Sequence, residues 1–201
     1  SVFLSSVTDC YNSFEEKYQI TRKILEQLVD ANCHIGISTK SKLILRDIDL
    51  LKKFKDLTVS ISINTLDEKF KNDMDNANSI LDRINTLKEL HNQGIKTVLF
   101  MSPIFPYITD FKAIIEATKN YVNEYWFENL NLRGSYKKII LDYIKSNYPG
   151  IFNEYEKIYL FSDKQYWIDL SFEIEAYCKQ NTIKYLNYFY HDELVKNKRK
   201  S

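Results

Sequence analysis

The 201-residue sequence is poor in the residues that mark stapled or hairpin-rich proteins, with three cysteines, three prolines and four glycines. The cysteines, Cys10, Cys33 and Cys178, are odd in number and far apart, which predicts neither a disulfide framework nor a zinc site. Scarce glycine and proline argue against an all-β fold built on tight turns. No apolar run approaches the ~20 residues of a membrane span, and the first residues lack the charged and apolar regions of a signal peptide. We therefore expect a cytoplasmic protein without membrane association.

The sequence also lacks an excess of positive or negative charge. The sequence has 28 Lys and Arg against 27 Asp and Glu, a formal net charge of +1. This balance argues against a strongly basic nucleic-acid clamp and against an acidic tail protein. Residues 196–200 hold four positive charges, for which a solvated tail is the simpler interpretation and a nucleic-acid arm the alternative. With 44% hydrophobic residues, the length suits one domain over residues 1–201.

Two hydrophobic periods alternate along the chain. Between short β-rich runs, apolar residues recur three and four positions apart, which predicts helices, the last of them opened by a capping box of Ser162 and Gln165. Strand and helix repeating every ~25 to 40 residues indicate βα units and a parallel sheet, and no glycine-rich turn supports a dinucleotide fold. The expected class is α/β with a curved or barrel-like sheet. The predicted strands are Val2–Leu4, His34–Ile37, Leu57–Ile63, Thr97–Met101, Tyr125–Phe127 and Ile183–Tyr190.

The third predicted strand carries a polar row. Its aliphatic residues alternate with Thr58, Ser60, Ser62 and Asn64, which places four small hydrogen-bonding groups on one face. Burying such groups without partners costs about 1–3 kcal/mol each, so we expect this face to meet water or a polar ligand. A half-exposed antiparallel strand is the alternative.

Polar residues also follow the other strands, where the βα loops of an α/β barrel converge on a ligand. Lys40 is the cation among them, and Ser102, Glu128 and Asn129 follow the fourth and fifth strands. Ordinary loop composition is the alternative explanation for this convergence.

Four segments fall near the ends of predicted strands: TDCYNSFEEKY at 8–18, STKSKLILRDIDLL at 38–51, VSISINT at 59–65 and PIFPYITD at 103–110. Together they resemble the radical S-adenosylmethionine (SAM) superfamily in its spore-photoproduct-lyase-like branch. In that family the lumen of a partial (β/α)6 barrel holds a 4Fe–4S cluster and SAM. The cofactor is cleaved reductively to a 5′-deoxyadenosyl radical, which abstracts a hydrogen atom from the substrate.

The resemblance implies a fold and a set of binding residues. The fold would be an incomplete, partial TIM-like (β/α)6 barrel of parallel strands without its first strand, with the recognisable core in 1–130 and the remainder in 131–201. Lys40 would approach the methionyl carboxylate of SAM. Ser62 would hydrogen-bond the amino-acid or sulfonium region, with Asn64 beside it and Ser60 on the same face, and Thr8 would face the same ligand from the first strand present.

The sequence also departs from the family. The cluster-binding CxxxCxxC pattern is absent, so no metal site is expected in this chain, and Ser6 stands where spore photoproduct lyases carry a hydrogen-donating cysteine. An N-terminal truncation is the economical explanation. We then expect a fragment that is inactive and has no bound cofactor, although its full-length parent would use SAM and a 4Fe–4S cluster on an unknown substrate. An exposed strand edge would favour a dimer.

The competing interpretation is a non-enzymatic α/β barrel-like binding module, with nucleic acid as a candidate ligand. Aromatic residues of the second half would then stack on bases, whereas their spacing indicates a packed core. The carboxylate pairs Glu15/Glu16 and Asp47/Asp49 are interpreted as solvated helix-start charges, and Arg46 with Asp47 as a loop and helix-end hydrogen-bonding pair.

Overall fold

A computed structural model of the protein describes residues 1–5 and 7–189. Six parallel strands form one sheet in the order β1-β2-β3-β4-β5-β6, which confirms the predicted α/β fold with a parallel, partial TIM-like sheet. The last predicted strand extends to Tyr190, which lies outside the described residues, as do Ser6 and the basic residues 196–200. The strands are β1 Val2–Leu4, β2 Ile35–Thr39, β3 Leu57–Ser62, β4 Lys96–Ile104, β5 Glu124–Asn129 and β6 Tyr185–Asn187.

Helices follow most of the strands. The spacing of Ile44, Ile48, Leu51 and Phe54 predicts a helix, but this segment forms a 3-10 helix, Lys42–Asp47, followed by one α-helical turn. A second 3-10 turn covers Pro149–Ile151. The α-helices are α1 Glu15–Tyr18, α2 Ile20–Leu28, α3 Ile48–Leu51, α4 Glu68–Met74, α5 Ile80–Asn92, α6 Phe111–Thr118, α7 Gly134–Asn147, α8 Phe152–Tyr159 and α9 Gln165–Gln180. No helix in the described ranges is both long and apolar enough to cross a membrane.

The described chain forms two compact units. The first consists of Ser1–Met101 and Asp110–Trp126, and the second of Ser102–Thr109 with the described residues from Phe127 onward. One domain over 1–201 therefore stays a prediction. A dimer through the edge strand β1, which pairs with β2, also stays a prediction.

In the first unit, the aliphatic face of the sheet is packed against helices. Ile37 and Val59 are adjacent in the β2–β3 register and fully buried, and α5 contacts β3. Leu25 of α2 and Leu87 of α5 are also fully buried. Each such side chain contributes roughly 2 kcal/mol through burial, so the amphipathic pattern that predicted the helices also fixes the covered face of the sheet.

One helix start differs from its prediction. Ser162 has a positive φ of 58°, and the Gln165 amide at the start of α9 donates to Asp163 Oδ1 at 2.8 Å. The capping box of Ser162 and Gln165 is therefore wrong, because the neighbouring aspartate accepts from the helix start instead.

The aromatic residues of the second unit support the packing interpretation. Phe127, Tyr155 and Trp167 are buried, and the Tyr155 hydroxyl donates to the carbonyl of Pro106 at 3.0 Å. Side chains in these positions have no free face on which a base could stack.

Candidate functional site

The polar face of β2 and β3 is the central feature of the first unit. In the parallel register Ser38 lies beside Ser60, and Thr58 lies beside Gly36. Because side chains alternate along each strand, Thr58, Ser60 and Ser62 share one face, opposite the aliphatic one. All six residues of β3 are buried, and β3 pairs in parallel with both β2 and β4. The alternative of a half-exposed antiparallel strand is therefore excluded.

Three of the buried hydroxyl groups on this face have no partner in the described part of the protein. Ser60 donates to the Ile37 carbonyl at 3.3 Å, whereas the side chains of Ser38, Thr58 and Ser62 form no hydrogen bond with a described residue. A buried hydroxyl without a partner costs on the order of 1–3 kcal/mol, so a set of three on one face is unusual in a structural core. Their arrangement fits a polar ligand.

Lys40 is connected to this face through an ionic chain. Its Nζ lies 3.1 Å from Asp75 Oδ2, and Asp75 Oδ1 accepts from Arg83 Nη2 at 2.6 Å. Arg83 Nη1 donates to the carbonyl of Ser62, the last residue of β3, at 3.2 Å. The structure thus brings the predicted cation and the predicted hydroxyl strand into one hydrogen-bonded network.

The charges in this network are unequally exposed. The Arg83 side chain is 2% exposed, whereas that of Lys40 is 34% exposed. Burial raises the pKa of the Asp75 carboxyl, but the charges and hydrogen bonds of Lys40 and Arg83 outweigh burial, and the net pKa lies below its usual value. Asp75 therefore stays ionised at neutral pH, and the Lys40 ammonium is the cation that a ligand can reach.

The two remaining predicted site residues lie at the margins. Asn64 is half-buried just beyond the end of β3, and Thr8 is exposed in the loop after β1. Thr8 lines a cleft of about 340 Å³ with Asp9, Cys10 and residues of α1 and α2, and its side chain forms no hydrogen bond with a described residue. Whether all five predicted residues contact one ligand stays a prediction.

Sequence reasoning did not find Asp75 and Arg83 as partners of the site. They lie 35 and 43 positions after Lys40, and no local pattern marks either residue. Their role depends on the loop between α4 and α5, where the Asp75 carboxylate also accepts from the Ala77 amide at 3.0 Å.

A second ionic cluster joins the segments 8–18 and 38–51. Arg46 donates from Nη2 to Glu15 Oε1 and to Asp47 Oδ2, each at 2.8 Å, and Tyr11 donates to Asp47 Oδ2 at 3.1 Å. Glu15 and Asp47 are buried, so their interpretation as solvated charges is wrong. The local sequence shows only acidic residues at helix starts, whereas their burial depends on a distant arginine. The hydrogen-bonding interpretation of Arg46 and Asp47 agrees with this geometry.

The cysteines do not form a common site. Within the described ranges, no group of three His, Cys, Asp or Glu side chains is arranged to hold a metal ion. Burial raises the pKa of the Cys10 thiol to about 11, and burial also raises that of Cys178 to about 11. Both cysteines are therefore protonated at neutral pH in the absence of a metal, so neither is an activated thiolate.

The second unit contributes a separate polar contact. The Ser102 hydroxyl donates to Glu128 Oε2, and both residues are half-buried. Ser102 lies in β4 and Glu128 in β5, as expected for polar residues near the carboxyl ends of these strands.

Solved structures share this fold. SuiB from Streptococcus suis bound to S-adenosylmethionine superposes with a TM-score of 0.58 at 17% identity, covering 85% of this chain and 36% of SuiB. SuiB bound to its precursor peptide SuiA gives a TM-score of 0.57 and covers 35% of that chain.

Curated relatives and a family model agree with the fold. The uncharacterized protein MJ0683 of Methanocaldococcus jannaschii is 40% identical over 149 residues, which cover 74% of this chain and 56% of that protein. The uncharacterized protein ORF301 of Acidianus two-tailed virus is 36% identical over 107 residues, which cover 52% of this chain and 35% of that protein. The chain thus spans about half or less of the relatives' length. The radical SAM superfamily model matches residues 1–118, and the chain belongs to this superfamily.

Proposed function

We propose that this chain is the SAM-binding portion of a radical SAM enzyme of the spore-photoproduct-lyase-like branch. The observation that carries the proposal is the set of buried hydroxyls on the polar face of β2 and β3 that form no hydrogen bond with a described residue. Asp75 and Arg83 link this face to the partly exposed Lys40. Family membership and the fold shared with SAM-bound SuiB support the same ligand.

The residues on this face suit the amino-acid end of SAM. A carboxylate matches the Lys40 ammonium, which donates one hydrogen bond to Asp75 and has two further N–H groups. The hydroxyls of Ser38 and Ser62 can accept from the ammonium of SAM or donate to its oxygens. Asn64, Ser60 and Thr8 complete the proposed binding set. Binding there would satisfy the buried hydroxyls of Ser38 and Ser62, which form no hydrogen bond with a described residue.

The residues present do not fit the iron–sulfur cluster. The sequence has three cysteines, without the CxxxCxxC spacing, and among the described residues no group of three His, Cys, Asp or Glu side chains is arranged to hold a metal ion. We therefore derive no redox step from this chain. In the whole protein, whose relatives are longer, we propose that cysteines outside this sequence hold a 4Fe–4S cluster, which would supply the electron for cleavage of SAM.

Amide chemical-shift mapping with SAM at millimolar concentration tests the proposal, because this method detects weak binding. We expect the shifts to change at residues 38–41 and 60–64. The internal control is a cleft of about 350 Å³ lined by Lys55, Gln93 and Gly94, at the opposite ends of β3 and β4. Changes confined to that cleft, or no changes at all, would contradict the proposed site.

A further inference from the structure

The loop after β1 is attached to the end of β2 by one carboxylate. Asp9 Oδ2 accepts from the Lys40 amide at 2.8 Å, and Asp9 Oδ1 accepts from the Thr39 hydroxyl at 2.7 Å. The Thr39 hydroxyl in turn accepts from the Ser41 amide at 2.9 Å. These three hydrogen bonds depend on the side chains of Asp9 and Thr39, which lie 30 positions apart in the sequence.

Asp9 itself is held in a fixed orientation. Its Oδ1 also accepts from the Tyr11 amide at 2.9 Å, two residues along the same loop. Charged acceptors form hydrogen bonds about twice as strong as neutral ones, so the carboxylate restrains both the loop and the start of the Lys40 side chain. Asp75 contacts that side chain at its other end, through Nζ.

We propose that Asp9 is a positioning residue for Lys40 and so sets how the protein recognises the carboxylate of its ligand. This inference rests on the proposed function. Asp9 fixes the backbone from which the lysine extends, and Asp75 fixes the direction of the ammonium. Asp9 acts through Lys40 and is not itself placed against the ligand.

Two ligands that differ in one carboxylate provide the test. SAM and decarboxylated SAM share the adenosine and the sulfonium, so the ratio of their dissociation constants, measured by NMR titration of the chain, reports the carboxylate contact. For the wild type we expect SAM to bind about tenfold or more tightly, the scale of one charge-assisted hydrogen bond. Lys40→Gln should abolish this preference, and Asp9→Asn should reduce it by about threefold or more, since even a loss of ~0.7 kcal/mol corresponds to that factor.

The direction in which Asp9→Asn changes the preference for SAM distinguishes positioning of Lys40 from a direct effect of the Asp9 charge on the ligand. Decarboxylated SAM carries one more net positive charge than SAM, so the loss of Coulomb attraction to Asp9 would weaken its binding more than that of SAM and would raise the preference for SAM. A fall in the preference therefore supports positioning, whereas a rise or an unchanged ratio overturns the inference and leaves the proposed function standing. Failure of the wild type to bind SAM at all overturns both.

Matched variants control for the possibility that a substitution disrupts the folded structure. Tyr11→Phe removes a neighbouring buried hydrogen bond, from Tyr11 to Asp47, and should leave the preference within about twofold of the wild type. If Asp9→Asn does not fold, Thr39 provides the second test: Thr39→Val removes the hydroxyl that Asp9 binds, and Thr39→Ser keeps it. We expect the carboxylate preference to fall in the first variant and to be retained in the second; equal ratios would overturn the inference.

Discussion

Arg46 Nε donates to Asp47 Oδ1 at 2.8 Å, and the Asp47 side chain is completely shielded from solvent. Asp47 Oδ1 also accepts from Arg22 Nη1 at 2.9 Å. One buried carboxylate therefore holds two guanidinium groups, one from α2 and one from the 3-10 helix.

Asp47→Asn is expected to destabilise the protein strongly. Removing one partner of a buried ion pair costs about 3–5 kcal/mol, and the partial exposure of both arginines favours the lower end of that range. Urea denaturation measures the change in the free energy of unfolding. The matched control is Asp49→Asn, which removes a carboxylate that also binds Arg22 but is 56% exposed, and should cost less than about 1 kcal/mol. Equal losses in the two variants would contradict this account.

The lowered pKa of Asp47 predicts how the free energy of unfolding depends on pH. Burial raises the pKa of Asp47, but its hydrogen bonds with Arg46 and Arg22 outweigh burial and lower the net pKa. The pKa of Glu15 is also lowered, by the Thr21 amide and Arg46 against burial. The unfolded carboxyls titrate near pH 4, so this stabilisation is complete about one pH unit above that value and is lost as the pH falls through the folded pKa values.

Denaturation midpoints measured between pH 7 and pH 2 should therefore decrease from about pH 5 downward. Asp47→Asn should make this decrease shallower, because the substituted side chain no longer titrates. Parallel curves for the wild type and the variant would show that Asp47 is not the titrating group.

Gly36 and Phe3 form a close contact on the polar face. A Cβ added at Gly36 would lie 2.4 Å from Phe3 Cδ2. Gly36→Ala should cost about 1 kcal/mol, since the half-exposed ring must move. In a Phe3→Ala background the same substitution should be neutral or slightly stabilising, because alanine restricts the unfolded chain. A double-mutant cycle by thermal denaturation measures this coupling, and additive effects would contradict the contact.

Much of the fold was predictable from the sequence because strands and helices differ in hydrophobic period. The six strands follow from short β-rich runs, and the polar row of β3 follows from the alternation of small polar and aliphatic residues. The partners of Lys40 were not predictable, because Asp9 and Asp75 approach it only after the loops have folded. Glu15 and Asp47 were misinterpreted for the same reason, since their burial depends on a tertiary contact with Arg46.

The two serines of β3 differ in a way that a stability measurement detects. Ser60 donates to a carbonyl, so Ser60→Ala should cost about 1 kcal/mol. The Ser62 hydroxyl has no described partner, so Ser62→Ala should leave the free energy of unfolding unchanged or raise it. Chemical denaturation of the two variants compares them directly, and a loss in Ser62→Ala as large as that in Ser60→Ala would reveal a structural role for this hydroxyl.

The most direct test of the polar face as a SAM site combines stability and binding in one protein. In the double variant Ser38→Ala/Ser62→Ala, the account predicts an unchanged or higher free energy of unfolding together with SAM binding weakened by about tenfold or more. Ser79→Ala is the control, because Ser79 caps α5 by accepting from the Asp82 amide, and its loss should lower stability without changing SAM binding. A double variant that loses stability and binds SAM as well as the wild type would contradict the central claim.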